Sequence, residues 1–162
     1  MNLEKESVRG SDSDLMQLVT FRIGVEEFGV EILRVQEIIR SLEITKVPNA
    51  PDIVDGIINL RGRVIPIVDL RKKFNLPSAG RTKDTRIIVV NIKEQTVGFV
   101  VDAVSEVFRL TSDNVEPPPP VIAGIDSDYI QGVGKVSNKL LILLDLDRLL
   151  SAEEHGQLDA VA

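Results

Sequence analysis

The chain repeats itself. Setting each residue against the one 69 positions later lays Leu18–Ile39 on Ile87–Phe108. Of these 22 pairs, 10 are apolar in both copies and five are polar in both, and Gly29 falls on Gly98, Val35 on Val104 and Glu37 on Glu106. An offset of 76 lays Gly56–Leu70 on Gly132–Leu146, where Gly56 repeats as Gly132, Asp69 as Asp145 and Leu70 as Leu146. The seven additional residues fall near Pro117–Pro120, a run that suits an insertion. Any two strand-rich segments share some alternation; glycines and acids recurring in the same order argue for duplication. A duplicated chain has two similar bodies with a seam between them, and seams are where ligands and partners tend to sit.

Each copy reads as two hairpins and a connecting segment. Leu15–Ile23 alternates weakly and is rich in β-formers; Gly24–Glu27 reads as a turn and Phe28–Ile32 as the returning arm. Ile32, Val35, Ile38 and Ile39 fall at helical spacing, which predicts a short helical turn over Leu33–Arg40, broken by Val47–Pro51. Ile53–Leu60 and Arg63–Val68 form a hairpin around Arg61-Gly62, with glycine free to take positive φ. Asp69 suits an N-cap for Leu70–Phe74, and Leu76–Asp84 is the best linker. In the second copy Arg86–Ile92 and Val97–Val101 turn at Lys93–Gln95, and Tyr129–Val136 and Leu140–Leu144 turn at Ser137-Asn138. Pro117–Pro120 and Gly124–Asp128 read as loop. Asp145 is expected to cap a helix from Leu146 into Leu158 that frays at its end. Sheets of four or five short strands close best as barrels, which removes their edges. The expectation is mainly β: two small barrels side by side, residues 15–80 and 81–150, after a disordered tail (1–14) and before a C-terminal helix end and tail (151–162).

Composition narrows the chemistry. There is no Cys, hence no disulfide framework or thiolate metal site, and the single His, His155, reads as an exposed tail residue. Neither a Ser–His nor a Cys–His nucleophile can be assembled from that inventory. Asp126-Ser127-Asp128 and Asp145-Leu146-Asp147 lack the glycine and terminal Glu of an EF-hand loop and read as a turn and a cap. No phosphate-binding glycine loop is present, and no apolar run reaches membrane-spanning length. The expectation is a cytoplasmic protein with no enzyme activity, no cofactor and no metal. Net charge is −6, with one Tyr and no Trp, which disfavours nucleic acid. Residues 61–86 nonetheless carry eight bases against Asp69 and Asp84, a window of +6 that leaves −12 for the remainder. Such a window is either a basic face that steers an acidic partner or a solvated hairpin and loop.

The copies differ at one hairpin: Asn59-Leu60-Arg61-Gly62-Arg63 in the first, Lys135-Val136-Ser137-Asn138-Lys139 in the second. Arg61 offers five donors in a planar fork, suited to a carboxylate or a partner's carbonyls, though an exposed turn arginine is the simpler reading. Glu37 reads as a solvated surface residue, and Val35 and Val107 as core.

These segments carry a resemblance. Phe28–Ile38, Gly56–Gly62, Ile65–Leu70 and Val97–Asp102 closely resemble the CheW chemotaxis coupling proteins, in order from about Leu15 to Leu150. The resemblance implies two five-stranded SH3-like barrels. It implies a non-enzymatic adaptor joining the cytoplasmic hairpin tips of chemoreceptors to the regulatory domain of the CheA histidine kinase. Such an adaptor would be recruited to membrane-associated arrays without inserting into the membrane. Carried onto matching positions, it marks Val35, Glu37, Gly56, Asn59, Arg61 and Val107 as the partner-binding set, and has Gly98 supporting local backbone geometry. Flagellar and other chemosensory outputs would use nearly the same surface, so an adaptor of a non-flagellar pathway is the alternative.

Overall fold

The computed structural model describes residues 15–40 and 42–161. The expected disordered tail at 1–14 lies outside them. Chain order is β1 (Leu15–Ile23), β2 (Glu26–Glu31), β3 (Val35–Arg40), β4 (Val54–Leu60), β5 (Arg63–Val68), α1 (Leu70–Lys73), β6 (Arg86–Ile92) and β7 (Gln95–Val101). It continues with β8 (Ala103–Thr111), β9 (Val115–Glu116), β10 (Val121–Ile122), β11 (Ile125–Asp126), β12 (Ile130–Val136), β13 (Lys139–Leu144), α2 (Leu146–Leu149) and α3 (Ala152–Val161). The protein is mainly β, as expected.

One sheet runs β3-β6-β7-β5-β4; the other runs β8-β1-β2-β13-β12-β9. The expected division of the chain after residue 80 does not coincide with them. The β1–β2 hairpin of the first copy leaves its own half to pair with β8 and β13 of the second. The β6–β7 hairpin of the second copy pairs with β3 and β5 of the first. Each sheet is therefore completed by the other half's hairpin. The first curls round until Thr45, beyond β3, exchanges two 2.9 Å backbone bonds with Ile57 of β4. In the second, β9 takes the equivalent position against β12.

The bulges also repeat. β3 shifts register between Val35 and Glu37, and β8 shifts where it passes from Val19 to Phe21 of β1. The same irregularity recurs between Val54 and Gly56 in β4 and between Ile130 and Gly132 in β12. At the second bulge Thr20 Oγ1 donates to the Glu106 carbonyl (2.9 Å) and accepts from its amide (3.2 Å), so this buried hydroxyl is fully bonded.

Three cores result. Ile58, Leu60, Ile65, Ile67, Ile87 and Val89 fill the first barrel. A smaller group, Leu18, Leu110, Leu141 and Leu143, fills the second. The largest core is the seam, where Phe21, Phe28 and Val30 of one hairpin meet Ile88, Val97 and Phe99 of the other. A chain of rings, Phe21–Phe28–Phe74–Tyr129, crosses it with centroids 5.7, 5.7 and 6.1 Å apart. The seam is thus filled with hydrocarbon, and only its margins offer surface.

Several local expectations need correction. The helical turn expected over Leu33–Arg40 is confined to a 3-10 turn at Ile32–Arg34, and Val35–Arg40 is strand. Burial alternates without a break along β3, but polar Glu37 takes an inner position and Ile38 an outer one at 40% exposure, so the apolar residues mimic helical spacing. The stretch after the prolines holds the β10–β11 hairpin, turning at Ala123 and Gly124, both at positive φ. Asp69 caps α1 through the amides of Arg71 and Lys72, as expected, but Asp145 makes no side-chain cap bond. The last helix is docked on the body: Leu158 is fully buried, and His155 is half-buried with Nδ1 2.8 Å from Gln95 Oε1. His155 is therefore not an exposed tail residue.

Candidate partner-binding site

The β4–β5 hairpin turns at Arg61 and Gly62 with φ of 52° and 85°. Two consecutive left-handed residues make a turn of the hairpin-matching hand. Arg61 has a Cβ and takes that conformation at a cost; Asn59 offsets it by accepting the Gly62 amide on Oδ1 at 2.9 Å. Thus fixed, the Arg61 guanidinium reaches the bulge of β3. Its Nη2 lies 2.5 Å from Glu37 Oε1 and its Nη1 3.0 Å from Oε2. The fork-on-fork geometry supplies direction as well as charge. The hydrogen bond from Arg61 holds the Glu37 carboxyl below its ordinary range, with the charges of Arg61 and Arg63 adding to it against some burial; Glu37 in turn raises Arg61. The pair stands open, the arginine side chain 68% exposed.

Farther back along β4, Gly56 is buried at φ 156°. A Cβ there would fall 2.7 Å from Ile44 Cγ2 and closer still to the Thr45 carbonyl, the group that closes the barrel. Gly98 is similarly filled from outside: a Cβ would meet Ile67 Cδ1 at 2.6 Å in the first core. Val35 is half-buried on the margin of the seam, where Val104, its repeat, also packs. Of the sequence-derived set, the structure brings together Glu37, Asn59 and Arg61, while Gly56 packs against Ile44 and Thr45 where the barrel closes. Val107 belongs to the other sheet and is 55% exposed, so it is not core.

The basic window does not form one free face. Arg71 pairs with Asp102 and Lys73 with Glu154, both with little side-chain exposure, while Arg81 and Arg86 bond backbone carbonyls. These pairs close the seam's margins, as does Arg34 on Asp147. Their residues looked like surface charge in the sequence because their acids lie 31 to 113 positions away. Among the described residues no group of three His, Asp or Glu side chains could hold a metal ion. No described helix is long and apolar enough to cross a membrane.

Two barrels exchanging hairpins, with an exposed ion pair joining a fixed turn to the β3 bulge, define a binding scaffold. The family described as CheW-like domain matches residues 17–154, and the chain belongs to it. It is 40% identical over 146 residues to the chemotaxis protein CheW of Klebsiella aerogenes, covering 90% of this chain and 88% of that one. Against the chemotaxis protein CheW of Helicobacter pylori it is 33% identical over 154 residues, 93% of each. Among solved structures it is similar to the scaffolding protein TtCheW from Thermoanaerobacter tengcongensis, with a TM-score of 0.79 at 40% identity, covering 86% of this chain and 90% of that one. The chain is accordingly a chemotaxis scaffold, of a family that works by binding rather than by catalysis.

Proposed function

We propose that this protein couples the cytoplasmic hairpin tips of chemoreceptors to the regulatory domain of a CheA-type histidine kinase, and that the Glu37–Arg61 edge is one of its docking points. The observation that carries this reading is the bidentate pair itself: two charged groups, pre-aligned, in which Arg61 on a strained turn reaches Glu37 on the β3 bulge and stays largely open to solvent. An incoming helical hairpin would lay apolar side chains along the seam margin at Val35, in the helix-in-groove mode, while the Arg61 donors left over fix its register. Val107, exposed on the second barrel, would meet a separate part of the assembly. Gly56 and Asn59 act indirectly, by holding the barrel wall and the turn. Signal passes only if the contacts differ in affinity between kinase-on and kinase-off arrangements, for which a coupling of ~1–3 kcal/mol suffices. Recruitment to the membrane follows from the receptor, with no insertion of this chain.

The test is Arg61→Glu. It sets two carboxylates face to face at an exposed site, so the thermal transition is expected to stay close to wild type while co-sedimentation with receptor and kinase falls. Unchanged co-sedimentation sinks the assignment of this edge.

A further inference from the structure

The duplication allows the mouth of one barrel to be compared with the mouth of the other. By the two offsets, Glu37 corresponds to Glu106, Arg61 to Ser137, Arg63 to Lys139 and Thr96 to Glu27. In the first barrel the mouth is closed from within. Arg61 spans from the hairpin to Glu37 on the bulge, and Arg63 Nη2 bonds Thr96 Oγ1 at 3.0 Å. In the second barrel the acid on the bulge is kept and the arginine opposite it is gone. Glu106 and Ser137 instead line a cavity of about 290 Å³, with Glu27, Phe108, Lys139 and Leu140 also in its wall.

Two features give this cavity a preference. Glu27 stands where the first barrel has a threonine, and its Oε2 is shielded from solvent without a hydrogen-bond partner. A buried carboxylate oxygen left unpaired is costly, and the Glu27 carboxyl need only turn toward the cavity for a donor there to relieve it. Lys139 lines the same wall, yet among the described residues it makes no ion pair with Glu27 or Glu106, leaving two acids to one base. Phe108 and the half-exposed Leu140 supply apolar surface beside them. The volume sits at the low end for ligand pockets, suited to one functional group on a short stem.

We propose that the mouth of the second barrel binds a guanidinium on an aliphatic stem, supplied from outside the chain. Glu106 takes it as Glu37 takes Arg61, Glu27 receives a further N–H, and the stem lies on Phe108 and Leu140. The group arrives either as a free alkylguanidine or as an arginine side chain.

The experiment is an NMR titration of the whole protein with N-butylguanidine and with acetyl-Gly-Arg-Gly-amide. Saturable shifts are expected at Thr20, Glu106 and Phe108. Affinity should fall at least fivefold in Glu106→Gln, and binding should vanish in Ser137→Arg, which restores the missing arginine in cis. Ser137 already sits at φ 51°, matching Arg61 at 52°, so that variant has the backbone it needs. A stronger response to the peptide names a chain-borne arginine as the source; a stronger response to N-butylguanidine names a free ligand. Absence of saturable shifts, or undiminished binding by Ser137→Arg, overturns the proposal. Neither receptor nor kinase enters the experiment, so its failure leaves the docking role of Glu37 and Arg61 standing.

Discussion

Gly56→Ala should open the first barrel. The added methyl would press on the Thr45 carbonyl and lie 2.7 Å from Ile44 Cγ2. That carbonyl cannot rotate away, because it accepts the Ile57 amide at 2.9 Å while the Thr45 amide donates back to Ile57 at the same distance. Losing both bonds costs about 2 kcal/mol at a net ~1 kcal/mol each. Holding alanine at φ 156° adds ~1–3 kcal/mol. With a urea slope of about 2 kcal/mol/M, a loss of ~3–5 kcal/mol moves the unfolding midpoint down by ~1.5–2.5 M. Gly62→Ala is the matched control: φ is 85°, but nothing lies within 4 Å of the new methyl. There the loss should be only ~1–2 kcal/mol, the cost of a left-handed alanine. Equal midpoints for the two variants would show that the close approach at Thr45 is not what requires glycine.

Two further outcomes follow from the same geometry. Leu158 is fully buried in the seam core, so Leu158→Ala should cost ~2–5 kcal/mol in denaturant unfolding; a loss below half a kcal/mol would mean that the last helix does not dock. The Glu37 carboxyl is held below its ordinary value of 4.5, chiefly by the Arg61 hydrogen bond. Because the folded-state pKa is the depressed one, the pair's contribution is complete above about pH 4.5 and is lost as pH falls through that lower value. A carboxyl-carbon titration should therefore place Glu37 below 4.5 in the wild type and nearer to it in Arg61→Ala; identical midpoints would refute the coupling.

Turn chemistry was the most readable part of the sequence. Arg61-Gly62 and Ser137-Asn138 sit at left-handed turns, and Asp69 caps its helix. The exchange of hairpins was not readable, because the two N-terminal hairpins share one pattern and nothing local says which barrel each joins. Both are also sandwiched between a barrel interior and the seam, so Leu18–Phe21 and Ile87–Val90 are buried on both faces. That double burial explains why alternation is weak there. The Glu37–Arg61 pairing joins residues 24 positions apart, and Glu37 lies on a strand whose apolar spacing resembled a helix. For His155, the contact lies 60 positions back at Gln95, beyond the reach of any local signal. The cavity at Glu106 and Ser137 was foreshadowed by the difference between the two hairpins, but only folding brings Glu27 to it.

Reciprocal trading of hairpins makes the two barrels a single folding event. Neither can be completed until strands roughly 50 residues apart (β3 with β6) and roughly 90 apart (β1 with β8) have met, an arrangement with high contact order that slows folding. Once assembled, neither can come apart without stripping two strands from its neighbour. A gene encoding just one repeat would still have a way out: a pair of identical copies could swap their leading hairpins and arrive at a twofold-symmetric dimer with the same architecture.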